Sequence, residues 1–347
     1  MASVWYATRE DVKAALDSKE TARNNAQIDR LIAASSRSIE EQLHRRFYPT
    51  VATRKFPWPS DYSDVAWRLW LEGHELISVT SITADDTAIT SSEYFLEPFN
   101  DGPPYTRVEI DRDTTAYFGH SANQQRDITI VGTFGYWDEQ EAVGSLSANL
   151  NAGAASTASA SWTTADIGVG DILKIDSERL IITKRTMVDS TQNLGGSGLT
   201  AAVNDVTVPV SNGAGFDYDE IILIDSERML VVDIAGNNLT VKRQWDGSVL
   251  AAHSTNADIY ALTGVELARG QLGTTDAAHT SGTTIYRYVV PDLIKQLCIA
   301  ETIVALLNES SGYGRVIGSG DAQREAAGKS LEDLRRRAYE AHGRKVF

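Results

Sequence analysis

The sequence predicts an α+β chain: a small helical core with a short β-sheet, interrupted by an all-β repeat domain. Three observations carry that prediction. Apolar residues recur at helical spacing near both ends, around Ile28–Leu43 and again after Pro291. Short β-branched and aromatic runs, separated by Gly, Pro, Asp and Asn, follow the first helical stretch. The string IDSER occurs twice, at Ile175–Arg179 and Ile224–Arg228.

The elements follow in order. Thr8 and Asp11 in TRED fit a capping box, in which hydroxyl and carboxylate satisfy amides left free at a helix start, so a short helix runs through Leu16. Asn24 or Asn25 caps a longer helix whose apolar stripe is Ile28, Leu31, Ile32, Ile39, Leu43 and Phe47, with Asp29, Arg30, Arg37, Glu40 and Glu41 on the polar side; Pro49 ends it. After TRKFPWPSDY come WRLWLEG, LISVTSITADD, YFLEPF, TRVEID and DITIVGTFGYW, which read as strands of a small sheet. Residues 144–164 are rich in Ala, Ser, Asn and Gly, a composition that fits either a linker or the first strand pair of the next domain.

Two repeats organise residues 144–288. Laying Leu150 over Leu199, an offset of 49 residues, superposes the two IDSER strings, each a strand running into Asp-Ser-Glu and a second strand: a hairpin used twice. A second offset, of 26 residues, matches Arg243 with Arg269, Gly247 with Gly273 and Ala251-Ala252-His253 with Ala277-Ala278-His279. The expected arrangement is a tandem pair whose second unit has its closing segment duplicated. Pro291 then suits the first turn of a helix packed with Leu293, Ile294, Leu297, Cys298 and Ile303. A glycine-rich break, Gly312–Gly320, precedes a polar helix at roughly 323–341.

Charge and composition narrow the function. With 47 acids against 32 bases the net charge is -15, which disfavours binding to free nucleic acid or acidic membranes. The final RRRAYEAHGRKVF reverses that sign, with five bases and one acid. A single cysteine excludes an internal disulfide. Neither a signal-peptide core nor a membrane-length apolar run is present, so the chain reads as soluble and unexported.

Candidate chemistry is sparse. The acid pairs Asp176/Glu178 and Asp225/Glu227 have the residue types of glycosidase carboxylates or calcium ligands. They are equivalent positions of a repeat, though, where a turn wants polar residues whatever its task. His253 and His279 are equivalent as well, and two histidines do not make a zinc site. There is no GxSxG, GxxxxGK[ST] or HExxH, and Cys298 sits among aliphatics as a small buried hydrophobe. No catalytic, cofactor-binding or metal-ligating residue is expected. The basic tail, Arg335, Arg336, Arg337, Arg344, Lys345 and Phe347, reads as a docking peptide for an acidic partner in preference to a DNA contact.

The order ATREDVKAAL, IDRLIAASSRSIEEQLHRRFYP, TRKF, DITIVGTFGYW and VPDLIKQLCIAETIVALL resembles the head-tail connector (adaptor) proteins of tailed phages over roughly residues 1–140 and 289–347. In that family the proline-led helix follows the GxxGY strand end almost directly, whereas Tyr136 and Pro291 are far apart here. The intervening segment resembles the small β-repeats of phage tail and fibre proteins; Arg269-Gly270 keeps their Arg-Gly turn, and Arg243-Gln244 departs from it. The resemblance implies a connector core at 1–143, an inserted all-β repeat domain at 144–288, and C-terminal helices with the basic tail at 289–347 completing that core. It implies a non-enzymatic virion protein of the neck, assembled in the host cytoplasm as a homo-oligomeric ring, dodecameric by analogy, beneath the portal protein. Its partners would be the portal, through the tail residues, and the next connector or tail-terminator protein, with DNA a passing neighbour in the channel and no membrane or cofactor. An acidic lumen, lacking basic contacts to phosphates, suits sliding DNA. The alternative is a tail-associated receptor- or glycan-binding β-module protein, which trimeric assembly and a sugar groove would favour.

Overall fold

The computed structural model describes residues 4–16, 25–59, 66–119, 123–153, 157–158, 160–162, 167–310 and 321–344. Helix α1 (Arg9–Leu16) starts at the capping box: the Thr8 amide donates to Asp11 Oδ2 at 2.9 Å and the Asp11 amide to Thr8 Oγ1 at 3.0 Å. Helix α2 (Asn25–Leu43) buries Ile28, Leu31, Ile32, Ile39 and Leu43. It ends earlier than Pro49 would dictate, at His44, whose φ of 53° is left-handed. Phe47, an expected member of the helical stripe, is buried from the loop beyond.

Seven strands come next: β1 (Thr50–Phe56), β2 (Arg68–Trp70), β3 (Leu76–Ala84), β4 (Thr87–Ile89), β5 (Tyr94–Glu97), β6 (Arg107–Ile110) and β7 (Ile128–Phe134). They make two antiparallel sheets, β1-β7-β3-β4 and β2-β6-β5, which bury one shared apolar cluster including Phe56, Leu69, Leu76, Val108, Ile130 and Phe134. Strand β1 has the sequence of a connection, because prolines flank it. It nevertheless pairs along its whole length with β7, and its Arg54 and Lys55 mark a sheet edge.

An eleven-stranded antiparallel sheet follows: β8 (Gln140–Leu146), β9 (Thr157–Ala158), β10 (Ala160–Trp162), β11 (Ile172–Ile175), β12 (Glu178–Asn193), β13 (Thr207–Pro209), β14 (Ile221–Ile224), β15 (Glu227–Ala235), β16 (Asn238–Lys242), β17 (Asp258–Ala268) and β18 (Thr284–Tyr288). Of the two readings of the Ala/Ser-rich stretch, the described part takes the strands: β10 pairs with β8. Helices α3 (Asp292–Ser310) and α4 (Asp321–His342) complete the chain; the glycine-rich break between them lies outside the described residues, as does Asn24.

The expectation of an α+β chain built on a small helical core with one short sheet is therefore corrected. Among the described residues there are four helices but eighteen strands in three antiparallel sheets, and the fold is mostly β. The helices dominate the sequence because two of them hold long uninterrupted stripes of 19 residues, whereas most strands are three to nine residues long and individually weak. Nor is the helical cluster self-contained. Val12, Ile32, Ile39, Leu297 and Ala338 pack with Ile172, Ile181 and Tyr288 of the large sheet.

The repeat is also arranged differently from a tandem pair. Ile181 and Ile182 face Ala268 and Leu267 across β12 and β17; Leu230 and Val231 face Lys242 and Val241 across β15 and β16. Leu173 faces Arg287, as Ile222 faces Ala261. Opening strands thus correspond at the 49-residue offset and closing strands at the 26-residue offset, pair for pair. The inner unit, about 194–262, lies within the outer one, at the place where the inner hairpin turns at Gly236-Asn237. Strand β17 serves both: Ile259–Ala261 closes the inner unit and Val265–Ala268 belongs to the outer. Each unit buries its own cluster, one around Ile224, Met229 and Leu239, the other around Ile175, Leu180 and Ile285.

Helix α1 holds both units. The Arg9 amide donates to the Val169 carbonyl at 3.2 Å, the Val169 amide to Glu10 Oε2 at 2.7 Å, and Lys13 Nζ meets Asp246 Oδ1 at 2.6 Å. Gly170 is required at this seam: its φ is +105°, and a Cβ there would stand 2.3 Å from the Trp5 ring.

Candidate functional site

The repeat-equivalent acids, arginines and histidines come together as two copies of one cluster. In each, the first strand ends in a two-residue turn whose leading Asp has φ 52° (Asp176, Asp225), a conformation that Asp tolerates better than most side chains. The turn delivers Glu178 or Glu227, fully buried, to the start of the return strand.

In the outer unit, Glu178 Oε1 accepts from Arg269 Nε at 2.7 Å and the Gly270 amide at 2.9 Å. Its Oε2 accepts from Arg269 Nη2 at 2.7 Å, the Ala277 amide at 3.1 Å and lies 2.8 Å from His279 Nε2. His279 Nδ1 is 2.7 Å from Asp176 Oδ2, and Arg269 Nη2 also donates to the Ala277 carbonyl at 2.6 Å.

The inner unit repeats this atom for atom. Glu227 receives Arg243 Nε at 2.8 Å, Arg243 Nη2 at 2.7 Å, the Gln244 amide at 3.0 Å and the Ala251 amide at 3.0 Å; His253 bridges it to Asp225 at 3.0 and 2.7 Å. Arg243 Nη1 adds the Thr200 and Asp205 carbonyls, at 3.2 and 2.9 Å.

Burial pushes both carboxyls up, but the donors more than offset it. Arg269 and His279 lead for Glu178, and Arg243 and the Ala251 amide for Glu227, so each ends lowered to about 2. A carboxylate has about four lone-pair sites, and each glutamate meets five polar partners, so neither has an open position for a metal, a proton transfer or a substrate. Of the acids that resembled glycosidase or calcium groups, the two glutamates are internal fasteners, and Asp176 and Asp225 stand at the surface and hold the histidines. Among the described residues, no three His, Cys, Asp or Glu side chains gather as a metal ion would need, and no helix is long and apolar enough to cross a membrane. Cys298 is buried beside Ser36, and burial raises its thiol to about 11.

Sequence reasoning missed that these acids, arginines and histidines form one cluster. The signal was present, since all four residue types recur at matched repeat positions, but the partners in the outer unit are about 100 residues apart.

The described tail residues do not form a free array. Arg335 pairs with Glu301 of α3 at 2.8 Å, and Arg336 pairs with its helix neighbours Asp333 and Glu340. Arg337 is exposed. Arg344 donates to the Gly73 carbonyl at 2.6 Å and lies 4.0 Å from Glu75, so it binds the chain's own first sheet region. Lys345 and Phe347 lie outside the described residues.

Compared with known protein families, with curated proteins and with solved structures, the chain matches none.

Proposed function

We propose that the chain is a structural head-tail connector of a tailed phage, a ring-forming adaptor that seats beneath the portal, continues its DNA channel and receives the next connector or tail component. One observation carries the reading. The two segments that resemble that family, separated by the large sheet, are packed together: α1 and α2 share one apolar cluster with α3 and α4, and Tyr136 and Trp137, at the end of the GTFGYW run, pack against it. The intervening sheet leaves and returns through neighbouring antiparallel strands, with Tyr288 opposite Gln140, an arrangement that lets a large body grow without separating the elements on either side. The saturated carboxylates of the repeats fit a mechanical part, and the net charge of -15 fits a channel wall that does not grip DNA.

Native mass spectrometry of the full chain, alone and mixed with purified portal, tests the reading. The expected result is a closed oligomer of one size, dodecameric, in at least the portal-containing sample. A monomer in both samples overturns it.

A further inference from the structure

The arginines of the two repeat clusters are held by carboxylates. One recess breaks that pattern in a chain of net charge -15. The end of α2 with His44, Arg45 and Arg46, strand β1 with Arg54, the turn at His74, and the end of β7 at Phe134 enclose about 390 Å³. Several charges there are already matched. Arg45 Nε meets Glu75 Oε1 at 2.8 Å, and Glu40 accepts from Arg37 at 2.6 Å and from the Tyr6 hydroxyl at 3.0 Å.

Arg54 is not matched. Its guanidinium carbon stands 4.9 Å from the centre of the Phe134 ring, its Nε is buried without a hydrogen-bond partner, and no ion pair joins its side chain to a described residue. The nearest carboxylate to Arg46 among the described residues is Glu40, at 4.0 Å. The crowding has electrostatic consequences: burial and then Arg46 lower the Arg54 pKa, and burial followed by Arg54 and Arg344 lowers that of His74. A partly buried guanidinium without a counter-charge costs stability. The fold holds it in place against an aromatic face, where a ligand from outside can supply the missing charge.

We propose that this recess is a carboxylate-binding site that takes an Asp, Glu or terminal carboxylate from an acidic segment of a protein partner onto Arg54 and Arg46. A guanidinium fixed over a ring presents a planar fork of donors that matches a carboxylate edge to edge. The volume admits a side chain with a short length of backbone and excludes a duplex. Glu40, Glu41 and Glu75 on the walls oppose a doubly charged phosphate more than the single carboxylate that an acidic segment inserts. The site stands independently of the assembly proposed above.

Isothermal titration of the full-length protein with a capped hexaglutamate peptide, and separately with inorganic phosphate, tests it. The wild type should bind the peptide, more weakly as salt rises, and phosphate less tightly than the peptide. Arg54→Met, whose stem still covers Phe134, should lose about tenfold or more in peptide affinity, as fits the loss of charge-assisted hydrogen bonds. It should melt at the same temperature as the wild type or higher, because an unmatched cation is gone. Arg54→Lys keeps the charge without the fork and should fall between. Four results overturn the proposal: no peptide binding by the wild type; unchanged affinity in an Arg46→Met/Arg54→Met double variant, which would put the peptide elsewhere; tighter binding of phosphate than of peptide; or a lower melting temperature in Arg54→Met, which would make the guanidinium structural.

Discussion

The imidazole of His279 lies 2.8 Å from the carboxylate of Glu178, although 101 residues separate the two. Its counterpart, His253 with Glu227, makes the same contact at 3.0 Å across 26 residues. One local chemistry therefore closes a short loop and a very long one, and the long one gathers the whole nested unit between its ends.

Glu178→Gln and Glu227→Gln each remove the charge at the centre of a cluster and put a neutral amide, one of whose two polar atoms donates, where a buried arginine had a bidentate carboxylate. Each is expected to lower unfolding free energy by about 3 kcal/mol or more, since breaking one side of a buried pair leaves the other unmatched. Urea unfolding of both variants checks this; losses under about 1 kcal/mol would show that neither cluster fastens the sheet.

Acid should open the same fasteners. Both glutamates have carboxyls lowered in the fold to about 2 from an ordinary 4.5, so their contribution is complete above the ordinary value and is lost as pH falls from there through about 2. Melting temperature is expected to drop across that window in the wild type and to vary less in the Glu178→Gln/Glu227→Gln double variant. Equal slopes in the two proteins would refute the assignment.

Asp171 works in the opposite sense. Burial raises its carboxyl to about 7, against the pull of Arg287 and the Gly168 amide. Its ionisation therefore costs the fold nothing below the ordinary value of 3.8, and the cost grows as pH rises to about 7. Asp171→Asn should melt higher than the wild type at about pH 8 and equally near pH 3.5, in paired thermal scans. A variant less stable at the higher pH would mean that the charged form is the one the fold needs.

Truncation after Ala322 is expected to destabilise the chain as well as remove the tail proposed to dock. Ala338 is fully buried, Arg335 pairs with Glu301, and Arg45 Nη1 donates to the His342 carbonyl at 2.8 Å. A lower melting temperature in the truncated chain checks the point. Arg337→Ala, at an exposed position, is the cleaner probe of portal docking: weaker portal binding at unchanged melting temperature would support a role for the tail, and unchanged binding would count against one.

Helices were the legible part of the sequence. Thr8 with Asp11 marked one start, and the stripe from Ile28 to Leu43 marked a buried face. Strand β1 was hidden because its charged outer positions and flanking prolines describe a sheet edge as well as they describe a connection. The nesting was hidden differently. Both offsets were visible, but only pairing shows that the opening halves come first, one after the other, and the closing halves follow in reverse. For the candidate site, residue types were legible and their meeting was not, because nothing local to Glu178 indicates that Arg269 will arrive beside it.

That last-opened, first-closed order bears on how the chain emerges from the ribosome. The inner unit has all its strands and its complete cluster once residue 262 has been made, whereas Glu178 must wait, still without Arg269 and His279, until translation has passed His279. The nascent chain would thus carry a finished small body on two unfinished strands, and the outer cluster, sealed late, would draw the ends together just before Pro291 begins the helix that packs beside α2.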